Sequence, residues 1–189
     1  MARNPDKLTK LEKELDNALA AGIMSISPRF DEIDPLRYLD ASIKEAMRIH
    51  TILNLPLEKV APQGGIEVAG TFVPEGTSIT PSTFLIHESV AVYGEDATSF
   101  SPDRWLDASD AQKQAMERSL LGFSAGRRVC LGRYIALLEM KKTIPTVLLH
   151  FRMSLVEPDR EISYGHNLIV IPDGIVVKIE RRVGRTLGS

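Results

Sequence analysis

The sequence is short of several features that mark particular classes of protein. It has one cysteine in 189 residues, which excludes an internal disulfide framework. Basic residues number 23 and acidic residues 25, and a formal net charge of -2 gives no large single-sign field. We therefore expect neither nucleic acid nor an anionic membrane as a partner. Because no run of 18 apolar residues is present, we predict no membrane anchor in this chain.

What is present predicts an α+β fold, mainly helical with small antiparallel sheets, in a single domain over residues 1–189. Hydrophobic residues make up 43% of the chain, enough for one core. Apolar residues at helical spacing predict helices over 6–22, 34–52, 110–117 and 130–150, the second capped by Asp34 with Pro35 in its first turn. Pro145 is expected to bend or split the last helix, whose predicted inward positions are Ile135, Leu138, Thr143 and Ile144.

Two other regions alternate short β-branched runs with prolines and glycines, which predicts strands. The first runs from 55 to 87, with a hairpin turn at Ala69 and Gly70 and a strand over 78–86. The second runs from 151 to 182, with a turn formed by Pro172, Asp173 and Gly174. Helices with such small sheets favour α+β over a wound parallel sheet.

The lone Cys130 lies in "FSAGRRVCLG", between glycines and basic residues at the start of a predicted helix. As a residue type it has three alternatives, namely a small buried hydrophobic side chain, a reactive thiol or a metal ligand. A packed core thiol is the usual case. A helix N-terminus and nearby positive charge favour the thiolate, and Arg127, Arg128 and Arg133 are close in sequence. Such a segment has what a thiolate ligand to iron needs.

This segment resembles the haem-binding loop of the haem-thiolate monooxygenases, the cytochrome P450 family. Two further motifs match the family in the correct order. Glu45 and Arg48 in "SIKEAMRIH" lie three residues apart on one helix face, and "FSPDRWL" supplies Arg104. The resemblance implies that Glu45 is a partly buried carboxylate that holds both guanidiniums through bidentate hydrogen bonds and ties its helix to the loop that leads to the haem ligand.

The resemblance also implies a cofactor, haem b, whose iron Cys130 would bind. Gly126 would take a turn conformation closed to other residues, and Gly132 would leave room for a flat ligand. Phe123 would shield that ligand from water, and Arg128 would bind a propionate.

Two further positions are less specific to the family. Lys59 stands where the family often has a second propionate-binding arginine. His87 stands where the family commonly has a histidine. It is interpreted either as a neighbour of a propionate or as an exposed loop histidine, and the exposed loop histidine is favoured. Apolar residues in 55–59 and 171–175 resemble segments that line the substrate pocket, which suggests an apolar small-molecule substrate.

The resemblance covers only the C-terminal part of the family's fold, so 1–189 is interpreted as a partial P450 domain. The central helix with its acid-alcohol pair is not found in these residues, and the catalytic residues are therefore unknown. By family the function is insertion of one oxygen atom of O2 with electrons from an NAD(P)H-dependent reductase, at the endoplasmic reticulum membrane for a full-length member. The alternatives are a non-catalytic haem-binding remnant, a peroxide-using or isomerase-like relative, and an α+β protein with a buried cysteine. The chain by itself is expected to be soluble or to aggregate.

Overall fold

The fold is described from a computed structural model, which covers residues 1–52, 58–166 and 169–183. The helices are α1 Pro5–Ala20, α2 Phe30–Ile33, α3 Arg37–Ile49, α4 Thr83–His87, α5 Val90–Tyr93, α6 Arg104–Asp107, α7 Asp110–Ser119 and α8 Arg133–His150, with a 3-10 helix at Gly126–Arg128. The strands are β1 Lys59–Val60, β2 Ile66–Val68, β3 Thr71–Val73, β4 Ser78–Ile79, β5 Phe151–Leu155, β6 Ser163–His166, β7 Val170–Asp173 and β8 Val177–Arg181. This composition confirms the α+β prediction.

The main core lies between α1, α3 and α8. Leu11 and Leu15 of α1 are buried against Leu39 of α3 and Leu149 of α8. These α1 and α3 positions belong to the apolar stripes read from the sequence, so both helices bury the predicted face. A second, smaller core packs Tyr93, Trp105 and Met116 against Ala41 on another side of α3. Helix α3 is therefore enclosed by apolar side chains on two sides.

The start of α3 differs from the prediction. Asp34 and Pro35 do not open the helix, because Asp34 closes the short helix α2 and α3 begins after Leu36. The free amides of Tyr38 and Leu39 instead donate to the Glu14 carboxylate of α1, at 2.8 and 2.9 Å. A negative charge at a helix N-terminus is favourable, so α1 supplies the cap that the local sequence was expected to provide.

The first strand region is confirmed in part. β2 and β3 form the predicted antiparallel hairpin, with Ala69 and Gly70 both at positive φ in its turn, and β1 pairs with β4. The predicted strand over 78–86 is wrong after β4. Ser82 accepts a hydrogen bond from the Leu85 amide and caps the short helix α4. A capping serine thus outweighs the β-branched texture that favoured a strand.

The C-terminal strands form two antiparallel pairs, β5 with β8 and β6 with β7. Pro172 and Asp173 lie within β7, opposite Tyr164 and Ser163, so the predicted turn begins only at Gly174, which has a φ of +80°. After β8, Arg182 forms ion pairs with Glu12 at 2.9 Å and Asp16 at 3.0 Å.

Helix α8 also departs from the prediction. It begins at Arg133 rather than Cys130 and continues without a break through Pro145. Of the predicted inward residues only Ile144 packs against the main core, together with Leu137 and Met140. The other three, Ile135, Leu138 and Thr143, are exposed. The buried face of α8 is thus rotated from the predicted one in its N-terminal half.

Candidate functional site

Glu45, Arg48 and Arg104, here called the Glu45 cluster, are brought into contact at the end of α3. The Glu45 carboxylate is fully buried and accepts two hydrogen bonds from Arg48, at 2.8 and 2.9 Å, and one from Arg104, at 3.0 Å. The Ser101 amide and the Trp105 indole N–H donate to the same carboxylate, at 2.8 and 2.9 Å. Five donors therefore surround one buried negative charge, which is the condition for burying it at tolerable cost. Only Arg48 is bidentate.

The charge state of Glu45 follows from these contacts. Burial by itself raises the pKa of a carboxyl, but the hydrogen bonds from Arg48, Ser101 and Trp105 and the charge of Arg48 outweigh burial. The pKa of Glu45 is consequently below its ordinary value, and the side chain is ionised at neutral pH. The cluster is a stable ion network rather than an acid or base for catalysis.

The two guanidiniums continue the network into the loop before α6. Arg48 donates to the carbonyls of Ala97, Ser99 and His87, the last at 2.7 Å, and lies over the ring of Tyr93 at 4.9 Å. Arg104 donates to the Tyr93 carbonyl and to the Asp96 carboxylate. Each arginine thus satisfies several backbone oxygens of 93–99 besides pairing with Glu45. The loop is held by charge-assisted hydrogen bonds on both sides.

His87 is buried, with 1% of its surface exposed, so the prediction of an exposed loop histidine is wrong. Its Nδ1 lies 3.0 Å from the Arg48 carbonyl and 3.1 Å from the Thr51 hydroxyl. Its Nε2 accepts the Leu121 N–H at 2.9 Å. Burial lowers its pKa from the ordinary value and keeps the ring neutral. Both nitrogens have protein partners, which leaves neither of them free to contact a haem propionate.

Residues 123–132, here called the cysteine loop, are shaped by backbone geometry. The Cys130 N–H donates to the Phe123 carbonyl at 2.9 Å, which closes the loop, and the Ser124 N–H donates to the Leu121 carbonyl at 2.8 Å. Gly126 has a φ of +69°, the turn conformation expected of it, and Ser124 also has a positive φ of +61°. Two residues at positive φ within three positions reverse the chain sharply.

Cys130 has a free and exposed thiol. Helix α8 begins three residues after Cys130 rather than at it, and the Arg133 N–H donates to the Cys130 carbonyl at 3.3 Å. A Cβ built on Gly132 would lie 3.8 Å from Sγ, in ordinary contact. Any side chain at 132 would therefore extend beside the sulfur and occupy space next to it.

Several large apolar side chains close to Cys130 in sequence are exposed to solvent. Leu131 is 97% exposed, Tyr134 79% and Ile135 64%. Phe123, the first residue of the loop, is half-buried, while Arg128 is exposed in the 3-10 helix with no ion pair in the part of the chain that the structure describes. Contiguous exposed apolar side chains of this kind mark a surface that contacts a ligand or another polypeptide.

The remaining predicted residues lie apart from the loop or outside the description. Lys59 is exposed in β1, opposite Ile79, with no ion pair among the residues described. Of the predicted pocket segments, residues 55–57 lie outside the described ranges, while Ile171 and Ile175 are exposed. A groove of about 1050 Å³ runs between α3, α7, α8 and the cysteine loop, but Cys130 does not line it. Its lining does include Val129, Arg133 and Tyr134, so the groove reaches residues on either side of the cysteine.

Sequence reasoning missed several partners of the Glu45 cluster. Trp105 follows Arg104 directly, and a buried indole N–H needs an acceptor, so the dipeptide itself was a usable signal. The contacts of the Ser101 amide and of the His87 side chain had no comparable signal, because both involve backbone atoms that only the fold brings together.

Within the described ranges no group of three His, Cys, Asp or Glu side chains is placed to bind a metal ion, and no helix is both long and apolar enough to span a bilayer.

The chain combines a buried Glu-Arg-Arg network with a free thiol in a closed loop, and a long helix follows that loop. Comparison with known proteins identifies the class of protein that has these features. A family model described as Cytochrome P450 matches residues 1–179. The chain belongs to the cytochrome P450 family.

Individual relatives agree with this assignment. The chain is similar to "Cytochrome P450 monooxygenase cicH" of Emericella nidulans, with 36% identity over 186 residues that make up 98% of this chain and 37% of the relative. It is also similar to a "Cytochrome P450 monooxygenase" of Aspergillus terreus, with 42% identity over 151 residues, 80% of this chain and 31% of the relative. A third relative is "Cytochrome P450 monooxygenase mpaDE" of Penicillium roqueforti, 39% identical over 155 residues, 82% of this chain and 18% of the relative. The chain thus spans about a third of the length of the first two.

Proposed function

We propose that this chain carries the proximal haem site of a haem-thiolate monooxygenase, with Cys130 as the iron ligand of haem b. The observation that carries the proposal is the Cys130 thiol itself. It is free and exposed, it lies in a loop that its own N–H closes by a backbone hydrogen bond, and it is surrounded by apolar surface. A buried core cysteine, the usual alternative, would be neither exposed nor surrounded by exposed apolar side chains.

The residues beside Cys130 fit a flat, apolar cofactor that carries negative groups at its edge. Leu131, Tyr134 and Ile135 offer apolar contact next to the sulfur, and Gly132 leaves that side free of a side chain. Arg128 offers a guanidinium that has no ion pair among the described residues, and its planar donor pair matches a carboxylate. When bound, haem supplies the one-electron and oxygen chemistry of the reaction. The thiolate would donate electron density to the iron.

Further residues have supporting roles in this proposal. Phe123 and the turn at Gly126 hold the loop around the ligand and exclude water, and Lys59 serves as a second, looser propionate partner. The Glu45 cluster fixes α3 to the loop before α6 and is structural. By similarity to relatives named monooxygenases, the whole protein is proposed to oxidise an apolar substrate with electrons from an NAD(P)H-dependent reductase.

Reconstitution of the chain with haem tests the proposal. The reduced carbon monoxide complex should show a strongly red-shifted Soret band, the mark of thiolate ligation, and Cys130→Ala should abolish it. Arg128→Ala should weaken haem binding, whereas the neighbouring exposed arginine variant Arg127→Ala should not, which separates a propionate contact from a general loss of positive charge. A wild-type complex without the red-shifted band would contradict the proposal.

Turnover experiments then separate the activities. Substrate oxidation that requires a reductase and NADPH supports a monooxygenase, and turnover with peroxide alone supports a peroxide-using relative. Haem binding with neither activity supports a non-catalytic haem-binding remnant.

A further inference from the structure

His87 joins two backbone positions that are distant in sequence. Its Nδ1 side faces the carbonyl of Arg48, 39 residues earlier, and its Nε2 accepts the N–H of Leu121, 34 residues later. Neither contact belongs to regular secondary structure. Because the side chain is only 1% exposed, water does not replace these partners.

The geometry assigns the tautomer of the ring. An N–H group faces Nε2, so this nitrogen must be the acceptor, and the proton lies on Nδ1. Nδ1–H then donates to the Arg48 carbonyl at 3.0 Å or to the Thr51 hydroxyl at 3.1 Å. The ring is therefore neutral, with one fixed donor and one fixed acceptor, as its lowered pKa also indicates.

Hydrogen bonds continue from this ring to the cysteine. The Leu121 carbonyl accepts the Ser124 N–H at 2.8 Å, and the Phe123 carbonyl accepts the Cys130 N–H at 2.9 Å. Gly122, between Leu121 and Phe123, lies so close to α3 that an added Cβ would come within 2.9 Å of Met47 Cε. The segment that enters the cysteine loop is thus fixed against α3 on one side and by the His87 ring on the other.

We propose that His87 is a positioning residue, whose neutral imidazole fixes Leu121 relative to the Arg48 end of α3 and thereby sets the approach of Cys130 to the haem iron. The effect on iron rests on the proposed haem site, whereas the effect on Leu121 does not. The role differs from that of a propionate contact, because both ring nitrogens act on the protein backbone.

Two amide variants separate the two ends of the bridge. His87→Gln keeps an acceptor at the ε position for the Leu121 N–H, while His87→Asn keeps a donor at the δ position and does not reach Leu121. Amide hydrogen exchange at Leu121 should therefore rise about tenfold in His87→Asn and stay near the wild-type rate in His87→Gln. Thr51→Val is the matched control, and exchange at Leu121 should not change because the Arg48 carbonyl still accepts from Nδ1.

Exchange across α3 and the spectrum of the reduced carbon monoxide complex complete the test. Wild-type exchange at Leu121 in His87→Asn would overturn the proposal, and so would an equal rise throughout α3 in both variants, which indicates general packing only. In the haem-loaded chain the red-shifted band should fall in His87→Asn and be retained in His87→Gln. A wild-type chain that lacks the band contradicts the haem site, while the exchange data still decide the bridge. A full band in His87→Asn despite fast exchange would overturn the link to Cys130.

Discussion

The Glu45 cluster and the cysteine loop distribute polar and apolar groups in opposite ways. In the cluster, the side chains of Glu45, Arg48 and Arg104 are between 0 and 7% exposed. Beside Cys130, by contrast, Leu131 and Tyr134 are at least 79% exposed. Charges are inside and apolar groups outside, the reverse of the usual arrangement.

The difference separates a region whose charged groups are paired with one another from a region whose apolar side chains remain exposed. Every charge of the cluster has partners here, so its contacts serve the fold. The surface around Cys130 exposes apolar area that the described residues do not cover, which is typical of a surface that binds something else. Ion pairs whose partners all lie in the cluster indicate a structural role. Exposed apolar surface around a free thiol indicates a binding site.

The largest effect is expected from removing the central charge of the cluster. Glu45→Gln leaves two guanidiniums in a buried site without their carboxylate, so we expect a loss of about 3–5 kcal/mol in the free energy of unfolding. Urea denaturation measures it. Glu117→Gln is the control, because Glu117 pairs with Lys44 at the surface at 2.8 Å, and its loss should cost less than about 1 kcal/mol. Equal losses would contradict the comparison.

Acid should break the same cluster without a mutation. The pKa of Glu45 is below its ordinary value of 4.5, so its stabilising effect is complete above that pH and is lost as pH falls through the lower folded-state value. Trp105, the sole tryptophan, donates to Glu45 at 2.9 Å, and its fluorescence should report the transition. A fluorescence transition centred above pH 4.5 would show that Glu45 is not stabilised as an anion.

An intermediate effect is expected in the backbone of the cysteine loop. Gly126 has a φ of +69° with no neighbouring atom within 4 Å of an added Cβ, so Gly126→Ala introduces backbone strain without a clash. We expect a loss of about 1–2 kcal/mol in stability. A substitution to D-alanine by chemical ligation is the matched control, since it suits positive φ and should restore stability. An unchanged Gly126→Ala would mean that the loop relaxes freely.

The smallest effect on stability is expected at the cysteine itself. The Cys130 side chain is exposed and makes no hydrogen bond among the residues described, so Cys130→Ala should change the free energy of unfolding by less than about 0.5 kcal/mol. The same variant should abolish thiolate ligation of haem. A large loss of stability would instead indicate a structural role for the thiol and weaken the contrast between the two regions.

The sequence predicts elements whose determinants are local and fails where partners come from afar. The stripes of α1 and α3 were readable because Leu11, Leu15 and Leu39 follow helical spacing. The true cap of α3 was not, because Glu14 lies 24 residues before the amide it accepts from. Likewise, α8 has apolar residues on most sides, so spacing alone did not decide which of them this chain buries.

The candidate site divides in the same way. Motif order pointed to Glu45, Arg48, Arg104 and Cys130, and the structure brings the first three into contact. The role of His87 depends on two backbone atoms, which leave no trace in a pattern of side chains. The conformation of Gly126 was predicted because only glycine takes it readily, whereas the positive φ of Ser124 had no such signal.

The ion pairs of Arg182 with Glu12 and Asp16 have a consequence for biosynthesis. Because 166 residues separate Arg182 from Asp16, the ribosome makes α1 long before this arginine exists. Closing so large a loop is entropically slow, so α1 is made well before Arg182 can pair with it. A pause in translation before β8 would lengthen that interval and expose the nascent chain to chaperones.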